Sequence, residues 1–151
     1  MIQLTKIFHF EMAHAISGYE GPCKNIHGHS YELHISITGT NTGSDYIPKP
    51  GFEVDFKEIK QLVNDEVISC FDHKLVLSRD FLAVHPSFTG EENLVTWEVE
   101  PSAENLLIFM AKKLKDRIPF HTRLSYMKLY ETSNSYAEWI NQDNLNRTDS
   151  L

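Results

Sequence analysis

The chain has 151 residues, 41% of them hydrophobic and 23% charged, and a net charge of −7 with its histidines neutral. That length suits one domain, and the apolar content excludes a disordered chain. The acidity argues against a protein built to hold a phosphate backbone, and the apolar runs are too short to span a bilayer, so neither a nucleic-acid nor a membrane partner is expected.

No charged start followed by an apolar stretch opens Met1 to Phe10, so no secretory signal is expected. Two cysteines, Cys23 and Cys70, are too few for a disulfide framework, and a cytoplasmic location follows as the default. In chain order, Ile2 to Ala15 alternates. Ile2, Leu4, Phe8, Phe10 and Met12 share one parity, with Thr5, His9 and Glu11 on the other, the pattern of a strand with one buried face. His14 has the parity of the apolar set. Ser17-Gly18 and Gly21-Pro22 mark a loop. A second strand is predicted from about His27 to Thr38. Tyr31, Leu33, Ile35 and Ile37 form its apolar face, which His27 and His29 extend. Residues 39–51 are polar, contain Pro48 and Pro50, and read as a turn closing a hairpin.

The first helix is predicted to start at Asp55, with Glu58 three residues on as a capping box. Phe56, Ile59, Leu62, Val63, Val67 and Cys70 then recur at helical spacing. Phe71 to Leu75 leaves the helix as a turn or short extended piece. Ser78 to Gly90 lacks periodicity and reads as a long surface loop. Leu94 to Val99 fits a short strand. A second helix opens at Pro101-Ser102 and turns Leu106, Leu107, Met110 and Leu114 inward, ending near Arg117. The last strands are Leu124 to Glu131 and Ser135 to Ile140, joined by Thr132-Ser133-Asn134. The order β-β-α-α-β-β describes an α+β fold: an antiparallel sheet with helices on one face. One domain is expected over residues 1–140, followed by a polar, frayed tail from Asn141 to Leu151. Four strands leave two sheet edges, which pairing between subunits would cover.

Eight histidines are the unusual count. His27 and His29, two apart on a strand, project from one face. His14 has the matching parity on the preceding strand, so an antiparallel hairpin brings three imidazoles together. Three neutral imidazoles with one open position suit catalytic zinc, although a His-x-His pair also occurs as a ligand-free polar edge. His9 and His34 have the opposite parity, and His85 and His121 sit in loops. These four read as surface or supporting residues. Cys23, four residues before His27, has three readings: a fourth ligand, a nucleophile or base, or an inert buried thiol. Cys70 continues a helix's apolar stripe and reads as core. In Asp72-His73 a carboxylate stands next to an imidazole that it could orient for proton transfer. Glu131 ends a strand, where a carboxylate is either solvated or free to accept two parallel hydrogen bonds from an amino-pyrimidine edge.

Six segments occur together in one order: Phe10-Glu11-Met12-Ala13-His14, Cys23 to Tyr31 around His27-Gly28-His29, Val54-Asp55-Phe56, Phe71-Asp72-His73, Pro101 to Asn105, and Glu131-Thr132-Ser133. In this order they resemble the 6-pyruvoyl-tetrahydropterin synthase family. The short interval from Cys23 to His27 is similar to the bacterial 6-carboxy-5,6,7,8-tetrahydropterin synthases of queuosine biosynthesis. The animal-type pyruvoyl synthases are the alternative, and a non-enzymatic zinc-stabilised pterin or purine binder is a third. The resemblance implies a tunnelling fold (T-fold) whose sheets join between subunits into a barrel, as a hexamer of two trimers with sites at subunit interfaces. It also implies zinc on His14, His27 and His29, with Cys23 as catalytic base and Asp72 and His73 as proton relay. Glu131 would anchor the pterin of a pterin triphosphate substrate, and Ser102 and Glu104 would line its pocket. The chain departs from the family pattern in two places. Ala15 stands where an arginine is frequent, and Ser102-Ala103 where threonine is frequent.

Overall fold

The structure is a computed structural model that describes residues 1–39, 41 and 43–143. β1 (Gln3–His14) and β2 (His27–Gly39) form an antiparallel hairpin, in register from Gln3 opposite Thr38 to His14 opposite His27. Alternation sets that register. Phe8, Phe10 and Met12 are buried with Tyr31, Leu33 and Ile35, and a one-residue slip would turn the three of the shifted strand to solvent. The polar stretch after β2 closes no hairpin, contrary to the expectation. β2 already pairs with β1, and the described part of 39–51 leads into a helix; residues 40 and 42 lie outside the described residues.

β5 (Thr122–Thr132) adds antiparallel to β2, and β6 (Ser135–Ile140) to β5. The other side of the hairpin holds a surprise. β3 (Lys74–Ser78) runs parallel to β1, and β4 (Leu94–Trp97) parallel to β3. The sheet is therefore mixed and six-stranded, in the order β4-β3-β1-β2-β5-β6. β3 shows no period-2 signal because Leu75 to Ser78 are all buried, as in parallel strands covered on both faces.

The main core lies between one sheet face and the longer helices. α1 (Phe56–Val63) is capped by Asp55, whose carboxylate accepts the Lys57 N–H at 2.8 Å. It runs through a π-helical turn (Asn64–Ile68) into α2 (Ser69–Phe71). The reason is legible in the spacing. Ile59, Val63, Val67 and Phe71 are buried at every fourth residue. On an α-helix that row drifts by about 40° per step, and a wider turn brings it back to one face. Phe71 thus belongs to the core, while Phe56, expected inside, is exposed. α4 (Ala103–Leu114) is capped by Ser102, which accepts the Asn105 N–H at 3.3 Å, and buries Leu106, Leu107, Met110 and Leu114 as expected.

A smaller core lies on the opposite face at the β3 end. Ala15, Leu75 and Leu77 pack there with Phe81 and Leu82. The latter two belong to α3 (Arg79–Val84), which is capped by Ser78 and followed by a 3-10 turn (Pro86–Gly90). The expected surface loop from Ser78 to Gly90 is thus mostly helical. Six residues of helix are too few to display a period in sequence. The polar tail begins inside the fold: Asn141 is buried and donates to the Ser125 and Leu124 carbonyls. Residues 144–151 of that tail lie outside the described residues. Among the described residues no helix is long and apolar enough to cross a membrane.

Candidate active site and metal centre

At the end of the central hairpin, His14 faces His27 across the β1–β2 pair and His29 follows on the same face. One ligand nitrogen from each ring lies within 4.8 Å of the others. His14 Nδ1 is 2.7 Å from the Pro101 carbonyl, and His27 Nδ1 is 2.8 Å from the Asn25 carbonyl. A carbonyl oxygen can only accept, so each Nδ1 carries the proton and each Nε2 presents a lone pair. Those two Nε2 atoms are 3.1 Å apart. Two lone pairs at that distance need a proton or a cation between or beside them. The separation is close to the about 3.3 Å between two nitrogens of a tetrahedral zinc site.

Burial makes the cation the better choice. His14 is 2% exposed, and desolvation lowers its pKa to about 4; the Pro101 carbonyl opposes the shift, while His27 and His29 add to it. His29 is lowered as well, first by burial, against the pull of Glu131. Near neutral pH these rings are neutral donors ready for a metal ion.

Glu131 supplies the charge beside the rings. The β5–β6 register slips between Tyr130 and Thr132, so Glu131 occupies an irregular position at the strand end. Such a bulge re-aims a side chain. Its carboxylate lies 3.9 Å from His14 Nε2 and is only partly exposed. Beneath it is Tyr31, a residue that reads in sequence only as part of an apolar face. Tyr31 is fully buried, with its ring against His29 at 5.3 Å. Among the described residues its hydroxyl makes no well-formed hydrogen bond, although Glu131 is close enough to act on it, and such a buried group costs about 1–3 kcal/mol. A signal was available in sequence: Tyr31 shares parity with His27 and His29, and a buried tyrosine hydroxyl needs a partner.

The remaining candidates are spread around this centre. Cys23 is exposed on a short 3-10 turn (Pro22–Lys24) and is not part of the close histidine group, which removes the buried-thiol reading. Its carbonyl accepts the Ile16 N–H at 2.8 Å, and the Glu100 carboxylate accepts the Ser17 N–H at 2.7 Å, which ties this loop to the segment before α4. Ser102 is engaged as the α4 cap, and Glu104 is exposed on that helix's first turn. Asp72 and His73 do form a pair, with Oδ1 and Nδ1 3.0 Å apart. The Glu11 N–H donates to Asp72 at 3.0 Å and, with His73, holds its carboxyl below the usual range. His73 adopts a left-handed φ of 59°, a conformation that costs an ordinary residue roughly 1–2 kcal/mol. It lines a shallow groove of about 390 Å³ with Glu11, Met12, Ala13, Gly28, His29 and Ser30 at the end of the central hairpin. The Asp72–His73 pair is not part of the close group formed by the three rings.

The family model described as 6-pyruvoyl tetrahydropterin synthase matches residues 3–142. The chain belongs to that family. A relative named 6-carboxy-5,6,7,8-tetrahydropterin synthase from Rickettsia typhi is 30% identical, over 91% of this chain and 99% of the relative. A protein of the same name from Haemophilus influenzae is 28% identical, over 92% and 99%. In fold, the chain matches the solved 6-pyruvoyl tetrahydropterin synthase of Caenorhabditis elegans with a TM-score of 0.67 at 19% identity, over 93% of this chain and 95% of that one. The T-fold expectation holds, with β3 and β4 as additions to the simple β-β-α-α-β-β order. Membership also gives meaning to a departure. The arginine frequent after the first histidine has no room here, because Ala15 is fully buried in the smaller core.

Proposed function

We propose that this chain is a zinc-dependent 6-carboxy-5,6,7,8-tetrahydropterin synthase. It would convert 7,8-dihydroneopterin triphosphate to 6-carboxytetrahydropterin, releasing acetaldehyde and triphosphate, in queuosine biosynthesis. The observation that carries this reading is the cluster of His14, His27 and His29, the first two with their tautomers fixed, with the Glu131 carboxylate at its side. The names of the relatives and the short interval from Cys23 to His27 support the carboxy branch.

His14, His27 and His29 would hold a zinc ion, which would supply a Lewis acid for the hydroxyls of the substrate side chain. The protein's own groups do the rest. Glu131 accepts two parallel hydrogen bonds from the amino-pyrimidine edge and so sets the orientation of the pterin. Cys23 takes a proton from a side-chain carbon. His73, oriented by Asp72, returns protons on the opposite face of the substrate. Ser102 and Glu104 border the pterin at the opening of α4. The cytoplasm suits this chemistry, because Cys23 must remain a free thiol.

One chain does not bring all of these groups into one close cluster. The complete site therefore draws Asp72 and His73 from a neighbouring copy, in a hexamer of two trimers. Two features support assembly: β4 and β6 are open sheet edges, and β6 carries the exposed Tyr136 and Ile140.

The test is direct. Zinc-loaded protein is incubated with 7,8-dihydroneopterin triphosphate, and the pterin product is identified by mass spectrometry alongside an acetaldehyde assay. The expected result is 6-carboxytetrahydropterin with acetaldehyde. A 6-pyruvoyl product would move the chain to the other branch, and binding without turnover would make it a pterin-binding protein.

A further inference from the structure

The Tyr31 hydroxyl has no task in the packing of this site. Its ring is fully buried, stacked on Phe10 at 4.9 Å and 6°, and set edge-on to His14 at 6.2 Å and to His29 at 5.3 Å. That packing fixes both ring torsions, so the hydroxyl oxygen is held in one place. Phenylalanine would fill the same volume without burying an unpartnered oxygen. A phenol hydroxyl carries its proton near neutral pH and can therefore donate.

Glu131 is the natural acceptor. It stands at an irregular point of β5, partly exposed, next to the rings. A carboxylate has about four acceptor positions, so accepting one hydrogen bond from below leaves enough for two from a ligand above. We propose that Tyr31 is a positioning residue: when a pterin is seated, its hydroxyl donates to the Glu131 carboxylate and fixes the plane in which that carboxylate receives the amino-pyrimidine edge. This rests on the pterin reading of the site.

The experiment is a double-mutant cycle. Zinc-loaded full-length wild type, Tyr31→Phe, Glu131→Gln and the double variant are titrated with neopterin, an unreactive pterin, by fluorescence. Zinc content and Tm are measured for each. Tyr31→Phe is expected to keep its zinc and Tm and to bind neopterin about tenfold or more weakly, as for a hydrogen bond to a charged group. The double variant is expected to bind no more weakly than Glu131→Gln alone. Wild-type affinity in Tyr31→Phe overturns the proposal, as do losses that add in full, which would mean that the two residues act separately. A fall in zinc content or Tm in Tyr31→Phe would assign the hydroxyl to the structure and overturn it equally. If wild type itself does not bind neopterin, the pterin reading falls and takes this proposal with it.

Discussion

At the residue scale, His14 carries most of the argument. A free imidazole takes up a proton near pH 6.5, but this one, buried beside two other rings, does so only near 4. Between those values the unfolded chain holds a proton on this residue and the folded chain does not. Stability of the metal-free protein therefore rises with pH through that window and is lost as pH falls through it, by roughly 3 kcal/mol in total. Denaturant titrations of metal-free protein across pH 4 to 6.5 should show this slope, and His14→Gln should flatten it. A wild-type profile that is flat there would contradict the buried, neutral ring. His27→Ala removes one of the two lone pairs that face each other at 3.1 Å. It is expected to bring zinc content from full occupancy to near none by elemental analysis, with the fold retained; undiminished zinc would remove His27 from the ligand set. Sequence parity was enough to group these three histidines. The carbonyls of Pro101 and Asn25 that set their tautomers were not legible, because Pro101 is 87 residues from His14 in the chain.

At the element scale, hairpin β1–β2, helix α4 and strands β5 and β6 were readable because each buries one face and therefore shows a period. β3 and α3 were not. The first is covered on both faces and the second is too short. Together they build the smaller core that encloses Ala15. That core leaves no room for an arginine at Ala15, and it makes a prediction. Ala15→Arg would place an unpaired charge, and a much larger side chain, in a fully buried position. It is expected to cost about 3 kcal/mol or more and to lower Tm by about 10 °C. A scanning-calorimetry Tm equal to that of wild type would show that the core opens to admit the side chain. The π-helical turn between α1 and α2 belongs to the same scale. Four-residue spacing from Ile59 to Phe71 brought it about, and it carries Phe71 into the core immediately before Asp72 and His73.

At the scale of the whole molecule, the question is where a complete site lies. The ring cluster and Glu131 lie together, and Asp72 with His73 form a separate pair outside that cluster. If neighbouring copies share each site, two inactive variants should complement. Cys23→Ala and His73→Ala are each expected to keep their zinc and to lose most turnover, about 10²-fold or more for one acid–base group. Mixed by unfolding and refolding together, they should recover measurable activity, since some interfaces then pair an intact Cys23 with an intact His73. No recovery in a mixture shown to form hetero-oligomers would mean that both groups act within one chain.

By itself, the sequence determined the α+β class, the strand pairing of the central hairpin and the convergence of His14, His27 and His29, because alternation and pairing are local rules that act over a few residues. It also carried the ordered segments that mark the family. Only the tertiary structure decided that β3 and β4 extend the sheet in parallel, that Ala15 is enclosed and that Tyr31 keeps an unpartnered hydroxyl under Glu131. It alone decided, too, that Asp72 and His73 stand outside the close ring cluster. These depend on which distant segments meet and on what covers each face. Burial and long-range packing fix such facts, and no spacing along the chain encodes them.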